Sequence, residues 1–396
     1  MAAPLGEERL SAAPAITLEV LPAGYGDCLL VTCPVPRGNW RMLVDAGPDE
    51  CWPALRDRLL AIPPDAAGQR RIDLLVVTHI DHDHIGAVQA LLQDRSLGLV
   101  FGDVWFNAPP PKARRGVKEG QTLADWLGVA GTAGASPLPW NQHFGGGLAS
   151  TAGDGGFVEG PAVPDQPRIT LLSPTPARLA ELFKVWDREL EKLRRKETEP
   201  APPAPPATRA GERLDPAALS ARVTAVDKAP PNGSSIAFLL EHRGASVLLA
   251  ADAFPAVLSS ALQALARHRG RPGSLKVDAF KLSHHGSRAN LTVDLLQAVQ
   301  ADHYIVSTNG AIFRHPDDEA VARVVMHGGR HPTLWFNHRN ERSLRWADPQ
   351  LQLAHGYRTE LPPEGKAGVV LKLAAAPGQE AGGRGSRART RPVVEG

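Results

Sequence analysis

The chain has 396 residues, 43% of them hydrophobic and 22% charged, which is ordinary globular usage and excludes wholesale disorder. Its 44 Lys and Arg against 42 Asp and Glu leave a net charge of +2, so no global field draws it to nucleic acid or to an anionic membrane. No apolar run approaches the ~20 residues of a bilayer span, and the start of the chain, with Glu7, Glu8 and Arg9, lacks the basic-then-apolar layout of a secretory signal. A cytoplasmic location with no membrane contact is therefore expected. Cys28, Cys33 and Cys51 are too few and odd in number for a disulfide framework and read as buried thiols.

In chain order, residues 1–15 read as a flexible N-terminus and residues 16–374 as one large domain. Short apolar runs predict strands at 16–21, 28–32, 41–45, 73–77, 100–106, 168–173, 235–241, 246–250, 277–282, 303–306 and 333–337. Amphipathic runs predict helices at 51–61, 84–92, 177–196, 254–268, 291–299 and 316–327. Residues 109–167, rich in Gly, Ala and Pro, read as a long insertion, and about 197–231 as a proline-rich linker whose prolines cannot continue a helix. The end of the chain, 375–396, carries Arg384, Arg387, Arg389 and Arg391 among glycines and reads as a disordered tail. Two β-rich halves flanked by helices predict an α/β fold with sheet packed on sheet and helices outside, a four-layer αββα sandwich.

The densest chemical signal follows the run Leu74-Leu75-Val76-Val77: His79, Asp81, His82, Asp83 and His84 fall within six residues. In an extended segment His79, Asp81 and Asp83 would project to one side and His82 to the other, with His84 rejoining them as it opens the next helix. Imidazole and carboxylate are the usual ligands of zinc, manganese and iron, and so dense a set of anionic oxygens is hard to tolerate without a cation. Asp45, Asp252 and the run Ser283-His284-His285-Gly286-Ser287 each end another apolar strand. These positions form one pocket only if the strand ends meet at one edge of the sandwich. Lys281 and His315 stand in or near the same loops and are candidate contacts for an anionic substrate, His315 also as a proton donor or, at least as readily, as an ordinary N-terminal cap or surface histidine.

His79-Ile-Asp81-His-Asp83-His84 resembles the metallo-β-lactamase superfamily signature His-x-His-x-Asp-His, with Asp81 replacing the second His. Together with Gly24-Tyr25-Gly26-Asp27, Asn232-Gly-Ser-Ser235 and Ser283 to Ser287, it resembles the hydrolase domain of ComEC-type competence proteins and their soluble relatives. The resemblance implies two divalent metal ions, zinc or manganese. It puts His79 and Asp81 on the first, Asp83 and His84 on the second, Asp252 between them, and His285, or failing that His284, closing the second. Asp45 matches a supporting Asp that orients ligands. The family's third-motif histidine has no clear match; His143 is the candidate. With Asp81 for His and no third His, the first site would be oxygen-rich and lean toward manganese.

The expected function is a metal-dependent hydrolase that uses a metal-bound hydroxide on a phosphodiester or another ester, with Asp83, His284, His315 and Lys281 as the catalytic candidates. The phosphodiester part is analogy with the ComEC-type domain. Nucleic acid is a candidate substrate, although no stacking-aromatic array or basic groove stands out. The rival reading is a non-catalytic or regulatory binding module that kept the fold.

Overall fold

A computed structural model describes residues 14–109, 138–195 and 214–376. The fourteen strands among these residues are β1 (Ile16–Val20), β2 (Leu29–Val35), β3 (Gly38–Val44), β4 (Arg70–Val76), β5 (Leu99–Trp105), β6 (Val158–Glu159), β7 (Arg168–Ser173), β8 (Ala237–His242), β9 (Ala245–Leu249), β10 (Leu275–Lys281), β11 (Val299–Val306), β12 (Thr333–Phe336), β13 (Arg358–Glu360) and β14 (Val369–Leu373). They form a six-stranded sheet, β14-β1-β2-β3-β4-β5, and an eight-stranded sheet, β13-β12-β11-β10-β9-β8-β7-β6.

Alternation along the strands builds the layers. In β3, Met42 and Val44 face the space between the sheets while Leu43 faces outward; in β8, Phe238 and Leu240 face inward and Leu239 outward. Both faces are covered, which is why these strands read as continuous apolar runs. Outside the first sheet lie the helices Trp52–Leu60 and Val88–Gln93, with Leu182, Trp186 and Leu190 of the helix Pro176–Arg195 in the same apolar cluster. Outside the second lie Pro255–His268, Val293–Ala298 and Asp318–His327. The αββα sandwich is the observed architecture. No described helix is long and apolar enough to cross a membrane.

Several elements lie outside the predicted strands and helices. β14 pairs antiparallel with β1, Leu371 opposite Leu18, so a strand near the far end of the chain completes the first sheet. β6 and β13 are the short edge strands of the second sheet. Part of the stretch expected to be linker is packed: the helix Pro216–Ser220, capped by Asp215, buries Leu219 beside Leu214 against the second sheet's helices, while Ala221, Arg222 and Val223 after it are exposed. The part of that stretch before Leu214, like the arginines of the tail, lies outside the described residues. The three cysteines are buried and free.

One topological feature positions everything that follows. β3, β4 and β5 run parallel to one another, and so do β9, β10, β11 and β12. Parallel strands deliver all their C-terminal ends to one edge of a sheet. The two edges are joined where Ile236 N–H donates to Thr78 O at 3.0 Å and Asn309 N–H to Gly24 O at 2.7 Å.

Candidate metal centre

At that edge the loops after β3, β4, β9 and β10 converge. Asp45, in the left-handed region at φ 58°, ends β3 and is fully buried. Its carboxylate accepts from Thr78 N–H and Thr78 Oγ1, each at 2.8 Å, and lies 2.8 Å from His84 Nδ1. A ring held through Nδ1 by a carboxylate presents Nε2, which is how ligating histidines are commonly fixed.

His82 points away from the cluster, though strand alternation is not the reason. The extended backbone ends at Asp81, and His82–Ile85 is a helical turn. At ~100° per residue the turn sends His82 outward, to Tyr25 Oη at 3.2 Å and Asp49 at 3.4 Å, while Asp83 and His84 both face the cluster. Asp83 sits there because Gly26 packs flush against it; a Cβ on Gly26 would come within 1.8 Å of Asp83 O.

Ligand atoms of His79, His84 and Asp252 lie within 4.8 Å of one another, and so do ligand atoms of Asp83, His84 and His285. His285 Nε2 is 3.1 Å from Asp83 Oδ2, and its Nδ1 is 2.9 Å from Ser307 O. Asp81 stands at the mouth, 38% exposed, with Oδ2 3.6 Å from His79 Nε2. His284 Nε2 lies 3.6 Å from Asp252 Oδ2.

Buried polar atoms are nearly always paired, yet His79 Nε2, His84 Nε2 and Asp252 Oδ1 have no hydrogen-bond partner. They are neighbours, and they are lone-pair donors of the kind a divalent cation accepts. The residues therefore fit a metal centre. Electrostatics agree: burial would raise the Asp83 carboxyl, but His84 and His285 hold it at about 2, and Asp252 is likewise held well below the usual range by His284 and His84 against the effect of burial. Burial disfavours a charged His84, yet Asp252, Asp83 and Asp45 push it well above 6.5. In the metal-free protein, protons occupy positions that a cation would take.

The residues 21–310 match the family model of the metallo-beta-lactamase superfamily. The chain belongs to that superfamily. Among curated proteins no sequence matches. A solved structure similar to this superfamily member is Igni18, a novel metallo hydrolase from the hyperthermophilic archaeon Ignicoccus hospitalis KIN4/I. It shares 10% identity at a TM-score of 0.33, over 90% of this chain and 99% of that one.

Against the superfamily pattern, three sequence expectations need correction. Lys281 does not reach the pocket: it is fully buried, with Nζ 2.7 Å from Asp27 Oδ2 and 3.0 Å from Leu282 O, so its charge is spent on Asp27 instead of a substrate anion. His143 is not a ligand of the cluster; its Nδ1 is 2.7 Å from Asp103 and its ring stands edge-on to Trp105. His315 does not begin a helix, since the helix starts at Asp318 with Asp317 as its cap. His315 instead lies beside the centre, its ring 5.3 Å from that of His284 and its Nδ1 3.5 Å from Asp317.

Two residues the sequence reading missed hold His284: Asn290 Oδ1, 2.9 Å from its Nδ1, and Asp227, at 3.5 Å. Asp227 lies in the stretch read as linker, where composition hid it. Asn232, in the Asn-Gly-Ser-Ser motif, donates through Nδ2 to Asp227 at 2.7 Å and leaves Oδ1 buried without a partner.

Proposed function

We propose that the chain is a metal-dependent hydrolase of the ComEC-type group, acting on a phosphodiester or a related ester with two divalent cations, zinc or manganese. The observation that carries this reading is the set of neighbouring, buried and unpartnered atoms His79 Nε2, His84 Nε2 and Asp252 Oδ1 at the meeting of the two sheet edges. His79, Asp81, Asp83, His84, Asp252 and His285 would hold the ions. When bound, such ions lower the pKa of water and polarise the attacked phosphoryl or carbonyl oxygen.

The chain's own residues do the rest. Asp45 fixes the His84 ring, and Ser307 O fixes the His285 ring, so neither ligand must be ordered when an ion arrives. Asp252 presents Oδ1 to His84 at 3.4 Å and Oδ2 to His79 at 3.8 Å, which suits a carboxylate shared by two ions. Burial holds His315 below 6.5, reinforced by the neighbouring His284, so at neutral pH it would meet a leaving-group oxygen as a neutral ring. Phosphodiester preference rests on the ComEC-type resemblance and on these oxygen-rich surroundings.

The test is metal analysis of the purified protein, followed by turnover of bis(p-nitrophenyl) phosphate and of nucleic acid with zinc or manganese added. The Asp83→Ala/His84→Ala variant should lose hydrolysis and one bound ion. Full activity and unchanged metal content in that variant would overturn the reading.

A further inference from the structure

Measured against the family pattern, this chain leaves the first metal ion without a third-motif imidazole, since His143 is held at Asp103, and the pair His284-His285 offers one more ring than the second ion needs. The geometry points to a division of labour that deepens the metal-hydrolase reading and rests on it: His285 serves the second ion, and His284 supplies the missing imidazole to the first, opposite His79 across Asp252.

The two adjacent rings reach different places because of the backbone between them. His284, His285 and Gly286 are consecutive left-handed residues, at φ 49°, 55° and 84°. L side chains rarely adopt that region, and strain of this kind is held only where surrounding contacts enforce it. Here His284 N–H donates to Ala251 O at 2.9 Å, which ties the turn to the loop that carries Asp252. The resulting rings stand 74° apart with centroids separated by 5.9 Å.

Asp252 then divides the imidazoles between its two oxygens. Oδ2 faces His79 Nε2 at 3.8 Å and His284 Nε2 at 3.6 Å, whereas Oδ1 faces His84 Nε2 at 3.4 Å. His285 Nε2 is spent on the other side, at Asp83 Oδ2, 3.1 Å away. The Nδ1 of His284 is committed to Asn290 Oδ1 with Asp227 behind it, so its proton sits there and the Nε2 lone pair is left for a cation. Asn232 and Asn290 both donate to Asp227 Oδ2, at 2.7 and 2.9 Å, and hold that carboxylate in place. A histidine that served only as substrate contact would not need this clamp.

The experiment reads metal stoichiometry and stepwise zinc titration of the full chain. His284→Gly and His284→Asn both accept the left-handed backbone, and neither side chain reaches as far as Nε2. Each should bind one ion where the wild type binds two. His79→Ala/His284→Gly should still hold one ion, because both residues serve the same site, while His284→Gly/His285→Ala should hold none. If the His284 variants retain two ions at wild-type affinity, or if His79→Ala/His284→Gly loses both, the assignment is overturned while the metal-hydrolase reading stands. If the wild type itself binds no ion, that reading falls and takes the assignment with it.

Discussion

Lys281 Nζ lies 2.7 Å from Asp27 Oδ2, and both side chains are buried behind the candidate metal centre. Asp27 Oδ1 is in turn 3.3 Å from His285 Nδ1. Burial would raise the Asp27 carboxyl, but Lys281 first and then His285 hold it far below the usual carboxylate range. The lysine therefore keeps an anion in place next to a proposed ligand.

Removing the cation should strand that anion. Lys281→Met is expected to destabilise the fold by about 3–5 kcal/mol, the usual cost of leaving one partner of a buried pair uncompensated. Lys281→Met/Asp27→Asn should recover part of that loss. Denaturant unfolding of both variants checks the expectation, and a double variant less stable than the single would contradict it.

Gly26→Ala tests packing without deleting any ligand. Its added Cβ would meet Asp83 O at 1.8 Å, backbone against which nothing flexible can give way. Asp83 should shift and metal content should fall, with a lower melting temperature. Unchanged metal content in a folded Gly26→Ala protein would show that Asp83 is not held where the ion needs it.

Asp81 and His82 separate register from chemistry. Asp81→His replaces a hard oxygen with a nitrogen and should improve zinc binding relative to manganese. His82→Ala should leave both affinities within about twofold, because that ring faces Tyr25 and Asp49. Parallel titrations decide between them: loss of metal in His82→Ala with wild-type behaviour in Asp81→His would move the ligand set by one residue.

Protons and cations compete at His284. Burial would lower this imidazole, but Asp252 and Asp227 raise it from 6.5 to about 10 in the metal-free protein. The folded state thus holds a proton that the unfolded chain has released between pH 6.5 and 10. Its contribution to stability is full below 6.5 and is lost as pH rises through that window. The melting temperature of chelator-treated protein should fall between pH 7 and 9.5, while zinc affinity rises over the same range and proton release accompanies binding at pH 7.5. Calorimetry in buffers of different ionisation enthalpy measures that release; a chelated protein whose melting temperature is flat across this range would refute it.

The local signals were strong enough to give most strands, the layer architecture and the His and Asp positions that the fold brings to one pocket, because burial on both faces makes strand runs continuous and because those residues fall at the ends of apolar runs. His79 to His84 could be read as a cluster since its members are neighbours in sequence. What the chain order could not contain is which distant groups meet. β14 was invisible as a partner of β1, because pairing across about 350 residues leaves no local period. Lys281 looked like a free cation until tertiary packing put Asp27 against it. Asp227 lay in a stretch whose prolines spoke of an extended spacer, and only the fold brought it to His284. The adjacent histidines were an either-or choice in sequence; the left-handed turn, fixed by contacts from the Asp252 loop, directs them to different oxygens. Composition and spacing chose the kind of chemistry, while the convergence of parallel strand ends chose the partners of each atom.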